Sequence, residues 1–362
     1  MFVQWPTQRG PRKTAGAARP PPSFRVRGGR AMPAPGSRGL GMTGIHLFRT
    51  WTAAVAIGAA LCGLAAPAAR AADAAACKTV RFADVGWTDI AATTAITSAL
   101  LKGLGYTPKT QVLAVPVTYT SMKNKDIDVF LGNWMPTMEA DRKPYIDDKS
   151  VEVVGANLDG AKYTLAVPTY LYDSGLKTFA DIAKFKDKLK GKIYGIEPGN
   201  DGNRLIMGMI KDNAFGLGKF EIVESSEQGM LSQVDRATKR KEPIVFLGWE
   251  PHPMNTKFSI KYLEGGDDVF GPNLGGATIY TNVRAGWMGE CPNAATLIKN
   301  LKFTLPLENT VMGYILFDSM DADKAAEKWL KANPKAWEPW LQGVTTFDGK
   351  PGLAAVKASL KM

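Results

Sequence analysis

From Lys78 onward, short β-branched or apolar runs alternate with segments of helical period, and this alternation restricts the chain to α/β architectures with mainly parallel strands. VRFADV at 80–85 reads as a strand, and Thr88 or Asp89 can cap the helix that follows, which ends at Gly105. The first series continues with strands at 111–115 (QVLAV) and 127–132 (IDVFLG), a short helix over 118–125, and a helix around 136–144 whose Pro136 suits a first turn. YTLAVP at 163–168 opens a second series: helix 178–189, strand 192–197, helix 202–213, strand 221–225, helix 227–240 and strand 243–248. A strand at 278–283, a helix after Pro292 and helices between Leu307 and Leu341 return to mixed structure. Two series predict two lobes, with 161–254 inserted between the halves of a first lobe made of 77–160 and 255–362. The cleft between such lobes is the default place for a ligand.

Charge narrows the partner. The formal net charge is +11, but residues 1–71 hold ten Lys and Arg and no acidic residue. Removing those ten from the total of 45 leaves 35 basic residues against 34 acidic ones in the rest. A near-neutral body has no concentrated basic footprint for DNA or RNA, so nucleic acid is excluded as a partner.

The basic segment has a different reading. An uncharged, Ala-rich run lies between Arg49 and Arg70, followed by Ala71, which is the anatomy of a secretory signal. Met42 begins a signal of ordinary length, 42–71, and the Pro-, Gly- and Arg-rich 1–41 is expected to be an upstream extension from a misplaced start. The run is weakly apolar for a permanent span, and Leu61 before Cys62 does not suit lipidation. Export leaves Cys77 and Cys291, an even count that reads either as a disulfide or as two buried thiols.

Much catalytic chemistry lacks its residues. Beyond 71 there is one histidine, His252, held between Pro251 and Pro253, so His-based metal clusters are unavailable and no metal or cofactor is expected. No phosphate loop, dinucleotide fingerprint or nucleophile elbow is present. The inventory favours binding over turnover.

Three apolar strands run into tryptophan: VRFADVGW (Trp87), IDVFLGNW (Trp134) and PIVFLGW (Trp249), with Gly86, Gly132 and Gly248 one or two positions earlier. Ligands in open α/β sheets bind beyond the carboxyl ends of strands. Any one of these residues alone reads first as core. Three in one context point to a set of aromatic faces around a cation that cannot be hydrogen-bonded, a quaternary ammonium, with Asp89 as countercharge. Trp287, Trp329, Trp337 and Trp340 sit in a turn or on amphipathic helices and read as packing residues.

The segments FADVGWTD, KNKDIDVFLGNWMPTMEADRKPY, NLDGAKYTLAVP, GKIYGIEPGNDGNRLI and PIVFLGWEPHPMN carry a resemblance, spanning nearly all of 77–362, to the periplasmic choline-binding proteins of ABC importers. That resemblance implies a two-lobed type II periplasmic-binding-protein fold with two crossover strands. It implies an aromatic box of Trp87, Trp134, Tyr163 and Trp249, with Asp89 and Asn200 at the ligand's hydroxyl end and a Cys77–Cys291 disulfide. On pattern alone Tyr163 is an ordinary strand tyrosine and Asn200 a helix cap. The implied ligand is choline, with acetylcholine or betaine weaker, and the implied partner a membrane permease served by a monomer in the periplasm. Two other readings stay open: a glycine betaine or proline betaine receptor, and a periplasmic enzyme on the same fold.

Overall fold

The computed structural model describes residues 73–362. Its strands are β1 (Thr79–Asp84), β2 (Thr107–Val112), β3 (Val129–Met135), β4 (Val151–Pro168), β5 (Lys192–Tyr194), β6 (Glu221–Val223), β7 (Phe246–Glu250), β8 (Ile260–Tyr262) and β9 (Gly276–Arg284). They join in the order β2-β1-β3-β9-β4-β7-β5-β6, with β8 also on β4. β1 pairs in parallel with β2 and β3, and β5 in parallel with β6 and β7, so each lobe carries its own parallel βαβ series.

The lobes meet through two strands. The first half of β4 runs antiparallel to β9, from Val151 opposite Arg284 to Lys162 opposite Gly276. Its second half runs antiparallel to β7 and β8. At 18 residues, β4 is long enough to serve both sheets, and it passes from one to the other near Tyr163. This is the two-lobed, two-crossover architecture that the resemblance implies, although the sheet is mixed where pattern alone predicts mainly parallel strands. The antiparallel pairs all involve the crossover strands.

Several local expectations shift for identifiable reasons. The strand expected at 111–115 is β2 at 107–112, because TPKTQV forms a largely exposed edge while Val115 turns inward to start the helix Val115–Lys123. Pro136 does not open a helix: it follows a cis peptide bond after Met135, and the helix begins at Glu139. YTLAVP is the end of β4 rather than a separate strand. The helix expected over 178–189 shrinks to Phe179–Ile182 and a short 3-10 turn, because the lysines and aspartates beyond it supply little to bury. The helix expected at 227–240 is Glu227–Arg240, capped by Ser226, whose hydroxyl accepts the Gly229 N–H.

Trp287, Trp329, Trp337 and Trp340 are buried packing residues. Cys77 and Cys291 form a disulfide, with Cα atoms 5.6 Å apart, that ties the turn before β1 to the start of the helix Pro292–Asn300. Among the described residues no helix is long and apolar enough to cross a membrane. The expected signal segment 42–71, the extension 1–41 and Cys62 lie outside the described residues.

Candidate functional site

Trp87, Trp134 and Trp249 stand at or just past the ends of strands, whereas Tyr163 lies where β4 passes from one sheet to the other. Gly86 takes a positive φ of +84° two residues after β1, which turns the chain so that Trp87 stands at the N-terminus of the helix Thr88–Gly103. Trp134 lies in β3, and Tyr163 and Trp249 face each other as a register pair of β4 and β7. The Tyr163 ring stands at 6.0 Å from Trp134 and 6.3 Å from Trp249, steeply inclined to both, and 5.9 Å from Phe270. Trp87, Asp89, Trp134, Tyr163, Ile196 and Trp249 line a small cavity. None of the six is more than 6% exposed, so both lobes contribute walls to a site shut off from solvent.

Electrostatically the cavity is one-sided. Asp89 Oδ2 accepts from Trp134 Nε1 at 3.1 Å, while Oδ1 finds no hydrogen-bond partner among the described residues. Asp89 lies in the first helical turn but caps nothing, since the N-cap position belongs to Trp87 and no side chain caps there. Burial, aided by the nearby Glu227 carboxylate, pushes its pKa up to about 8. Glu197 accepts from Trp87 Nε1 at 2.7 Å and is raised by burial to about 7. Asp201 is raised to about 6, and Glu308 lies well above the usual range, both chiefly by burial. Among the described residues no lysine or arginine lines the cavity. A low-dielectric chamber with one carboxyl group in its lining and a second, Glu197, bonded to a lining tryptophan favours entry of a positive charge.

Asn200 stands one layer back. Its Oδ1 accepts the Asn203 N–H at 3.1 Å as the cap of the helix Asp201–Lys211 and also accepts from Tyr163 Oη at 2.8 Å. The helix-cap reading therefore describes its geometry, and its route to the cavity runs through Tyr163. Gly202 makes that approach possible, since a Cβ there would lie 2.1 Å from Tyr163 Oη. Ile196 and Glu197 escape sequence reasoning. Ile196 looks like any strand residue, and only the Glu-Pro-Gly run after a strand end marks Glu197.

The sequence profile described as the substrate binding domain of ABC-type glycine betaine transport system, OpuAC, matches residues 78–332. The chain belongs to the OpuAC family. Two solved structures titled as an ABC-transporter choline binding protein, one in complex with choline and one unliganded and semi-closed, are each 65% identical to this chain. They match 79% of it and 99% and 100% of their own lengths, with TM-scores of 0.78 and 0.74. Lactococcal OpuAC in its closed form complexed with glycine betaine is 27% identical, covering 72% of this chain and 98% of that one with a TM-score of 0.64. The OpuAC family thus supplies both a name for the two-lobed architecture and a transport role for its members.

Proposed function

We propose that this chain captures choline between its lobes in the periplasm and delivers it to the permease of an ABC importer. The observation that carries the reading is the cavity itself: four aromatic side chains and one carboxylate converge in it, with no cationic side chain among its lining. Aromatic faces attract a trimethylammonium group without hydrogen bonds, each worth roughly 0.5–2 kcal/mol when desolvated. Asp89 Oδ1, buried and without a partner among the described residues, suits the choline hydroxyl as its acceptor and the ammonium as its countercharge. Asn200 serves the ligand by holding Tyr163.

Glycine betaine is the second reading, favoured by the family description and by the lactococcal relative. Its carboxylate needs donors. Both indole N–H groups of Trp87 and Trp134 are already engaged by carboxyl groups, and the ionised form of Asp89, which a bound ammonium favours, repels a second anion. Acetylcholine keeps the ammonium but has no hydroxyl to donate, so it ranks below choline. Titration calorimetry with choline, acetylcholine and glycine betaine tests the order, and betaine binding more tightly than choline would sink the proposal.

The role we infer is capture without chemistry. His252 lies behind Trp249, with Nδ1 accepting the Met254 N–H and Nε2 directed at Glu227, so neither nitrogen serves a ligand in the cavity. Ligand recovered unchanged by mass spectrometry after incubation is the expected result. The mature protein is proposed to begin after the 42–71 signal and to act as a monomer. In the lobe division 77–160 with 255–362 and 161–254, the pairing of Ile260–Tyr262 with Ala166–Pro168 favours moving the return point from 255 toward Gly271.

A further inference from the structure

Behind the box, three donors converge on one buried carboxylate. Thr88, between Trp87 and Asp89 at the start of its helix, donates its N–H to Glu227 Oε2 at 2.8 Å and its hydroxyl to Glu227 Oε1 at 2.5 Å. His252 Nε2 stands 3.2 Å from the same Oε1, and its ring lies 4.8 Å from that of Trp249. Thr88, Glu227 and His252 are at most 4% exposed. Because His252 Nδ1 accepts the Met254 N–H at 2.9 Å, a neutral imidazole carries its proton on Nε2 and donates it to Glu227.

We propose that Glu227 is a positioning residue that couples closure of the lobes to the shape of the box, through Thr88 beside Trp87 and Asp89 on one lobe and His252 beside Trp249 on the other. The inference rests on reading the cavity as the choline site. Thr88 and Glu227 lie 139 positions apart on opposite lobes, so their two hydrogen bonds exist only when the lobes meet. The His252–Glu227 bond is internal to the second lobe and holds the carboxylate ready before closure. Ser226 caps the helix and Glu227 occupies its first turn, where the aligned peptide dipoles favour an anion. Ligand binding and latch formation therefore favour the same closed state, and the latch acts mainly on escape rather than on entry.

The decisive variant is Glu227→Gln. It keeps the volume, but its amide has one acceptor oxygen for three donors. If the oxygen meets the Thr88 N–H, the NH2 group opposes the His252 Nε2–H, and the imidazole cannot switch tautomer without losing Met254. Stopped-flow tryptophan fluorescence with choline should give dissociation roughly tenfold faster or more, with association little changed. Small-angle scattering should find a larger open fraction at subsaturating choline. The ligand-free melting temperature should stay near that of the wild type, which separates positioning from general stability. Thr88→Val, which removes one donor from the other lobe, should accelerate dissociation less, and the double variant should fall short of the product of the two effects.

Wild-type protein that ignores choline overturns the reading of the cavity and this inference with it. Wild type that binds choline while Glu227→Gln and Thr88→Val dissociate at the wild-type rate overturns the inference alone. If Glu227→Gln fails to fold, Thr88→Val decides by the same rate.

Discussion

Asp89 is where the two proposed roles, countercharge and hydroxyl acceptor, meet in one side chain. Asp89→Asn keeps the shape and removes the charge, so it should weaken choline and leave glycine betaine unchanged or improved, narrowing their ratio. An unchanged ratio by calorimetry would refute the countercharge role. The pH dependence follows from the same group. With its pKa raised to about 8 in the ligand-free fold, Asp89 holds a proton at neutral pH, and a bound ammonium favours the carboxylate. Choline affinity should therefore rise with pH up to about 8 and flatten above it, with proton release on binding. In the ligand-free protein the sign reverses for stability. The fold binds a proton that the unfolded chain has lost, so stability falls as pH rises from the ordinary carboxylate range to about 8. Glu197 and Asp201, raised to about 7 and about 6, extend the dependence to lower pH. Calorimetry in buffers of different ionisation enthalpy counts the protons, and affinity that is flat with pH would reject the linkage. Among the aromatics, Trp134→Ala and Trp249→Ala should each cost tenfold or more in affinity, as an order of magnitude. Trp329→Ala, buried away from the cavity, should lower the melting temperature and leave affinity intact. Equal affinity losses in all three would mean that packing residues have been taken for a site.

At the scale of elements, the box depends on how closely the helix Asp201–Lys211 can approach β4. Asn200 caps that helix and takes the Tyr163 hydroxyl, while Gly202 leaves room for it. Gly202→Ala would place a methyl group 2.1 Å from Tyr163 Oη and 3.0 Å from Leu247 Cδ1. Overpacking of this kind costs roughly 1–3 kcal/mol. The Tyr163 ring, paired in register with Trp249, has to move to relieve the clash. Weaker choline binding is expected alongside a lowered melting temperature, because Tyr163 serves both the box and the packing. Wild-type affinity in this variant would show that the approach of helix to strand does not shape the cavity.

For the whole molecule, the disulfide and the crossover strands divide the work. The bridge spans 214 positions and lies wholly in the first lobe. Loop-closure arithmetic assigns it roughly 5 kcal/mol as a model-dependent upper limit. The double variant Cys77→Ser with Cys291→Ser should therefore melt well below the parent while binding choline with similar affinity, because neither cysteine lines the cavity. Choline at a hundred times its dissociation constant should return roughly 2.7 kcal/mol to either protein. Loss of affinity matching the loss of stability would mean that the bridge holds the site as well as the lobe.

The α/β alternation, the three strand-to-tryptophan runs and the near-neutral body are local properties of the sequence, and they suffice for a two-lobed α/β class and for the expectation of a quaternary-ammonium ligand with Asp89 as its carboxylate. Resemblance adds Tyr163, Asn200 and the disulfide, which local pattern leaves as an ordinary strand residue, a helix cap and two thiols. Only the tertiary structure decides what depends on elements far apart in the chain. β2 slides to 107–112 because an edge strand needs no apolar face, and β4 runs through both lobes because its two halves find different partners. Glu197 and Glu227 become parts of the site because closure brings Trp87 and Thr88 to them across 110 and 139 positions. A carboxylate on a helix start looks solvated in sequence. Buried against the opposite lobe, it acquires the low dielectric and the distant donors that give it a function.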